Sequence, residues 1–212
     1  MRGPGRLIAF EGIDGCGKTT QAALLAAAIG EDPTHEPGAT PLGLRLRELV
    51  LGLEPGLPPV CRQAETLLLA ADRAQHVAEI VAPAMAEGRW VVTDRFSAST
   101  LAYQGYGRGM DLDVLRRLTT WAARGLEPDL TVLVDLEPAR ARERIRAGHA
   151  DRLEQLDDAF FERVRRGYLA LAADGGDRWV VVDGSQPVDA VGEAVRAAVH
   201  ARLGAPPNGW RT

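Results

Sequence analysis

Residues 12–19 read GIDGCGKT and satisfy G-x-x-x-x-G-K-[ST] at every fixed position. Residue types at this spacing hold the phosphates of a nucleotide. Glycines let backbone N–H groups turn inward around phosphate oxygens, the Lys18 ammonium bridges β- and γ-phosphates, and the Thr19 hydroxyl can ligate Mg²⁺. The helix that follows points its positive end at the same anions. Gly12, Ile13, Asp14, Gly15, Cys16, Gly17, Lys18, Thr19 and Thr20 are therefore the candidate donor-binding set. Lys18 is also the only lysine of the 212 residues; the other Lys/Arg side chains are 24 arginines. A sequence that otherwise writes positive charge as arginine keeps its one lysine where a compact ammonium fits between two phosphates. Cys16 reads as a small loop residue, because no histidine stands near it in sequence to activate a thiol.

A second pair with chemistry is Asp94–Arg95, which closes the run RWVVTD at the edge where open α/β sheets bind ligands. Arginines crowd the segment ARARERIRAGHADR as Arg140, Arg142, Arg144, Arg146 and Arg152. Most of that run reads as a solvated helix face with Glu143 pairing locally, while those near Gly148 can sit on a loop that folds over a nucleotide. Phosphate loops serve GTPases, ATP-hydrolysing machines and small-molecule kinases. A guanine-reading NKxD motif needs an asparagine, and the only one is Asn208 in the tail, which excludes a GTPase. The strand-end acids Asp94 and Asp135 are followed by Arg95 and Leu136 rather than by the second acid of many ATPases. Phosphoryl transfer to a small acceptor is favoured, since it needs cations facing acceptor as well as donor.

Such groups are positioned by a succession of strand, turn and helix. RLIAFE (6–11) runs apolar into the glycine-rich turn, and an Ala/Leu-rich helical pattern follows over 18–29. RWVVTD (89–94), LTVLVDL (130–136) and RWVVVD (178–183) are continuous β-branched runs, the pattern of strands buried on both faces. Helical patterns lie over 63–85, 112–124, 139–147, 157–173 and 188–203, and this alternation predicts βαβ units in a doubly wound α/β sheet. On the 63–85 helix, Leu67, Ala71, Ala74, Ala78 and Val81 make one stripe and Leu69, Arg73, His76 and Ile80 another, so Leu69 and Arg73 share a face. The polar, Pro/Gly-rich GEDPTHEPGATP (30–41) predicts only a truncated or irregular strand before Glu36. The length suits a single domain over 1–212, with a tail at 204–212 expected to be flexible.

Composition narrows the function classes. A net charge of -4 and a pI near 5.6 give no broad basic face, so no nucleic-acid partner is expected. The N-terminal apolar run over 7–10 is too short for a signal segment, and no stretch is long enough to span a bilayer, which predicts a cytoplasmic protein without a membrane partner. Cys16 and Cys61 are the only cysteines and have neither metal-binding spacing nor the density of a disulfide framework.

Several stretches taken together resemble the thymidylate kinase family: FEGIDGCGKTTQ (10–21), EPGAT (36–40), LRELVL (46–51), ADRAQH (71–76), VTDRFSASTLAYQGYGRG (92–109), PDLTVLVDL (128–136) and DRLE (151–154). They stand in the family's order over nearly the whole chain. The resemblance implies a three-layer P-loop kinase fold, with a five-stranded parallel sheet flanked by helices and a small lid segment around 140–154. It implies transfer of the γ-phosphate of ATP to dTMP with Mg²⁺, and a homodimer. Arg95 would grip the dTMP phosphate, with Asp94 acting near Mg²⁺ or that phosphate and Asp14 near the metal or the 3′-hydroxyl, which makes Thr19 and Asp14 the implied metal residues. Tyr103 would press on the sugar and exclude ribose, with Thr100 and Gln104 beside it; Arg73 would bond the thymine edge, Arg47 would reach the acceptor phosphate, and Glu36 would line the site. Gly15 stands where some members carry a catalytic arginine, so this chain resembles the variant that uses the lid, with Arg146 and Arg152 as its candidates.

The chain departs from the family at Leu69, where a phenylalanine usually stacks on thymine, and at His35, where an arginine usually precedes Glu-Pro-Gly. Leucine keeps an apolar wall without the aromatic quadrupole. Histidine removes a permanent cation and introduces a pH-sensitive one. Two alternatives stay open on these grounds: a related P-loop kinase acting on another nucleotide or nucleoside, and a nucleotide-binding regulator without transfer activity.

Overall fold

A computed structural model describes residues 4–53, 60–145 and 157–211. The elements are β1 (Arg6–Glu11), α1 (Lys18–Ile29), β2 (Thr34–His35), α2 (Pro41–Leu51), α3 (Arg62–His76), α4 (Ala82–Ala86), β3 (Trp90–Asp94), α5 (Ser97–Thr100), α6 (Leu112–Ala122), β4 (Leu130–Asp135), α7 (Pro138–Ile145), α8 (Asp158–Gly175), β5 (Trp179–Asp183) and α9 (Val188–Leu203). Two π-helical segments, Val77–Val81 and Leu101–Gly107, join α3 to α4 and extend α5. The strands form one parallel sheet in the order β2-β3-β1-β4-β5, so the α/β, five-stranded expectation holds.

The sheet is held by strands that are apolar on both faces. Ile8, Phe10 and Val92 join a buried cluster with Leu25 and Ile29 of α1 and Val195 and Val199 of α9, while Leu7, Ala9 and Val91 join a second with Val77, Val81 and Phe96. Each such side chain contributes on the order of 1.5–3 kcal/mol by burial, which explains why continuous apolar runs rather than alternating ones mark these strands. Register carries the same ends forward: Phe10 pairs with Asp94 and His35 with Asp94, so Glu11, His35, Asp94 and Arg95 arrive together at the carboxyl edge.

Several boundaries differ from expectation. The strand before Glu36 has two residues, the truncated strand foreseen from its polar sequence. The 63–85 helix is interrupted by the π segment Val77–Val81, and the helix expected to reach Arg124 ends at Ala122, with Arg124 in a left-handed conformation at φ 54°. α2 and α5 were not expected as helices. Leu67, placed on an apolar stripe by periodicity, is 58% exposed, because the buried face of α3 runs through Glu65, Thr66, Ala70 and Arg73 instead. The tail is docked rather than frayed: Trp210 lies against His200 and the main buried cluster, and the Arg211 N–H donates to the Ala28 carbonyl at 2.6 Å.

Candidate active site

The phosphate loop connects β1 to α1, and α1 begins at Lys18 after Gly17, whose φ of 99° is a left-handed value that favours glycine. Gly15 is left-handed too, at φ 79°, and a Cβ there would lie 2.4 Å from the Ala141 carbonyl oxygen of α7. An arginine at position 15 would be strained there and would require α7 to shift away from the loop. Lys18 is buried, with its Nζ 3.4 Å from the Ile13 carbonyl and 3.2 Å from Asp14 Oδ1. Cys16 is buried, and burial pushes its thiol up, which fits a packing role.

Asp14 is the hub between the loop and the rest of the site. Its Oδ1 accepts from Arg95 Nη2 and from Lys18, and its Oδ2 accepts from the Tyr103 hydroxyl at 2.7 Å. Burial pushes this carboxyl up, but the adjoining Arg95, Lys18 and Tyr103 outweigh it and hold the group well below the usual carboxylate range. The family resemblance implies Thr19 and Asp14 as metal residues and sets Asp94 near the same ion or the acceptor phosphate; in the structure it is Asp94 that meets the Thr19 hydroxyl. Thr19 Oγ1 donates to Asp94 Oδ2, and Asp94 Oδ1 is buried with no hydrogen-bond partner among the described residues. An unsatisfied buried carboxylate oxygen next to a hydroxyl at a phosphate loop is a donor set that suits a hard divalent cation completed by phosphates and water.

Arg95 follows β3 in a left-handed conformation, φ 75°, which costs an arginine roughly 1–2 kcal/mol. Its guanidinium reaches Asp14, Ser99 Oγ at 2.9 Å and the hydroxyls of Tyr103 and Tyr168 at 3.3 Å, and stands 5.0 Å from the Tyr103 ring centre. Desolvation works against its charge, yet Asp14 and its neighbours keep it firmly protonated.

A cleft with about 680 Å³ of open space runs from Asp14 and Arg95 to α2 and α3, lined by Arg47, Val50, Leu69, Asp72, Arg73, Thr100, Tyr103 and Gln104 among others. Arg73 is buried at its far end and donates to Glu36 Oε2 at 2.8 Å, Thr100 Oγ1 at 3.1 Å and the Phe96 carbonyl at 3.0 Å. Glu36 is held on its other oxygen by His76, which also meets Thr34. Gln104 donates to Glu65 at 3.1 Å, and its own carbonyl oxygen is buried without a partner among the described residues. Arg47 donates to the Pro37 carbonyl at 2.9 Å, and Leu69 shares the cleft wall with Arg73 as its spacing predicted. Tyr103 and Gln104 lie in the π segment Leu101–Gly107, wedged against α8 through edge-on contacts of Tyr103 with Phe160 and Tyr168.

Other placements add to or qualify the sequence reading. Arg146 and Arg152 lie outside the described residues. Arg144, part of the run read as a solvated face, donates to the Cys16 carbonyl at 3.3 Å and the Gly184 carbonyl at 3.0 Å beside the phosphate loop. His35 is exposed, and partial burial together with Arg47 lowers its pKa, so it stands as a neutral side chain at pH 7. Glu11, Ser99, Tyr168 and Asp72 were not singled out; Glu11 alone carried a signal, as a charge closing an apolar run.

Two sites therefore face each other across Asp14: a phosphate loop for a nucleoside triphosphate, and a cleft with a polar end wall and a cation at its mouth. Together with the sheet order they define a P-loop phosphotransferase acting on a small acceptor. Residues 10–195 match the family described as Thymidylate kinase. A thymidylate kinase of Desulfovibrio desulfuricans is 48% identical, with 92% of this chain and 95% of the relative covered, and one of Leifsonia xyli is 46% identical over 94% and 97%. The crystal structure of thymidylate kinase from Ehrlichia chaffeensis superposes with a TM-score of 0.74 at 30% identity, over 93% of this chain and 99% of that one. The chain belongs to the thymidylate kinase family, and as a member it catalyses ATP-dependent phosphorylation of dTMP to dTDP.

Proposed function

We propose that this reaction is carried by the residues that converge on Asp14, acting within one P-loop kinase domain. Lys18 lies between the β- and γ-phosphates of ATP, and Arg95 grips the dTMP phosphate and neutralises charge passing between the two. Thr19 and Asp94 would hold Mg²⁺ together with the donor phosphates, and that ion would screen their charge. Asp14, engaged by both cations, aligns them and meets the acceptor sugar together with Tyr103, whose ring leaves no room for a ribose 2′-hydroxyl. The lid supplies Arg146 or Arg152.

The observation that carries the acceptor assignment is the end wall of the cleft. Arg73 has more N–H groups than its protein contacts use, and in the same cleft Gln104 has a buried carbonyl oxygen without a partner among the described residues. A donor and an acceptor in one cleft match the keto and N3–H edge of thymine, while Leu69 covers the ring face. A panel of nucleoside monophosphates, with thymidine included, assayed for ADP release tests it. dTMP is expected to be preferred at least tenfold over dCMP and dGMP, which mismatch that edge by roughly one unpaired hydrogen bond or more. Equal rates across the panel would defeat the assignment, and ATP binding without dTDP formation would point to a regulator.

We further read the protein as a cytoplasmic homodimer. No helix among the described residues is long and apolar enough to cross a membrane. α3 adjoins both α2 and α6, and the three helices expose Leu42, Leu44, Leu67, Val114 and Trp121, the last 78% exposed. Aromatic and aliphatic side chains left open on adjoining helices mark an interface. Sedimentation is expected to give a dimer that Trp121→Arg dissociates.

A further inference from the structure

Glu11 ends β1 fully buried, behind the reacting groups rather than among them. Its Oε1 accepts from the backbone N–H of Phe96 at 2.9 Å and of Ser99 at 3.2 Å; its Oε2 accepts from the Ser99 hydroxyl at 2.6 Å and the Tyr168 hydroxyl at 3.0 Å. An ionised carboxylate offers only acceptors, so both hydroxyls turn their protons toward it. Their oxygens then present lone pairs to Arg95 Nη1, which lies 2.9 Å from Ser99 Oγ and 3.3 Å from the Tyr168 oxygen. The same carboxylate clamps the backbone directly after the left-handed Arg95, whose own N–H donates to the Phe10 carbonyl at 2.9 Å.

We propose that Glu11 is the positioning residue for Arg95: through Ser99 and Tyr168 it fixes the Nη1 edge of the guanidinium, leaving the Nη2 edge, now on Asp14, to turn to the acceptor phosphate. The proposal rests on the reading of Arg95 as the group that grips that phosphate. The relay has a polarity. A neutral side chain at position 11 carries protons of its own, which lets a hydroxyl reverse and face the guanidinium with O–H instead of a lone pair. Titratable and charged groups around Glu11 are Arg95 from the loop after β3 and Tyr168 from α8, with Asp14, Lys18 and Tyr103 beyond Arg95. Burial pushes the Glu11 carboxyl up and the Ser99 and Arg95 contacts pull it only part of the way back. Its protonation as pH falls therefore sets in before that of an ordinary surface glutamate.

Steady-state kinetics with dTMP varied, repeated across pH, compare the wild type with Glu11→Gln, the double variant Ser99→Ala/Tyr168→Phe, and Arg95→Ala. Glu11→Gln is expected to lower kcat/KM for dTMP by roughly 100-fold, the scale of a misplaced catalytic group, with KM for ATP unchanged and the wild-type acid limb gone. The double variant keeps Glu11 in place, so it tests the relay even if Glu11→Gln does not fold, and it is expected to lose activity by a similar factor. Wild-type kcat/KM in the folded double variant, or an acid limb retained by folded Glu11→Gln, would overturn the relay. If Arg95→Ala also keeps wild-type turnover, the reading of Arg95 falls with it; an inactive Arg95→Ala beside an active double variant removes the relay alone.

Discussion

The donor and acceptor halves of this site are built in opposite ways. In the proposed assignment the donor half is one continuous stretch, 12–20, that works through backbone N–H groups and a lysine held by its own loop. The acceptor half draws Glu36, Arg47, Leu69, Asp72, Arg73, Thr100, Tyr103 and Gln104 from a loop, two helices and a π segment far apart in sequence. A local site is least tolerant at its fixed positions, where Gly12 and Gly17 hold positive φ and Lys18 is the one ammonium in the loop. An assembled site shares its contacts among many groups, so single substitutions there tune rather than abolish.

The contrast breaks most sharply where the halves meet. Lys18→Ala and Arg95→Ala are each expected to lower kcat by about 1,000-fold or more, since each removes a cation aimed at transferring charge; ADP release under saturating substrates measures it. Wild-type turnover in either would dissolve the distinction along with the mechanism. Asp94→Asn leaves the loop and the cleft intact and alters only the carboxylate beside Thr19. The Mg²⁺ concentration for half-maximal rate is expected to rise roughly 10- to 100-fold, read from a Mg²⁺ titration with ATP in excess of KM.

A smaller effect tests the acceptor half alone. Asp72 accepts from the Gly38 N–H at 2.9 Å, while its other oxygen is buried without a partner among the described residues; burial and then Glu36 raise its pKa to about 6. Because the folded value lies above the unfolded one, the folded chain binds the extra proton between about pH 4 and 6, and stability from this group is lost as pH rises through that window. Asp72→Asn is expected to flatten this slope and stabilise the protein at pH 7.5 by roughly 1–3 kcal/mol, checked by urea unfolding at several pH values. The smallest expected change is at Leu69. Leu69→Phe restores a ring for thymine to stack on and is expected to tighten dTMP binding about fivefold, near 1 kcal/mol, by isothermal titration.

The same division governs what could be read in the sequence. The phosphate loop and the β1, β3, β4 and β5 strands are local patterns, and they lie where their residues indicated. α2 carries local signals too, with Thr40 capping the Gly43 N–H, Pro41 opening the helix and Gly52 closing it left-handed, but its short apolar pattern is masked by the Pro/Gly-rich stretch before it. The π segment Leu101–Gly107 was not legible: Gly105 and Gly107 argue against helix, and only packing of Phe160, Val164 and Leu112 against those bare glycines explains it. The pairing of Thr19 with Asp94 rather than Asp14 is likewise a matter of sheet register, which sets Phe10 opposite Asp94 and is invisible in either segment alone.

The contact between Gly15 and α7 has a corollary for substitution. With the Ala141 carbonyl oxygen 2.4 Å from where a Cβ would stand, any side chain at position 15 requires α7 to shift. Loop and helix are thereby bound to change together: an arginine placed at position 15 is expected to displace α7 as well as add a cation.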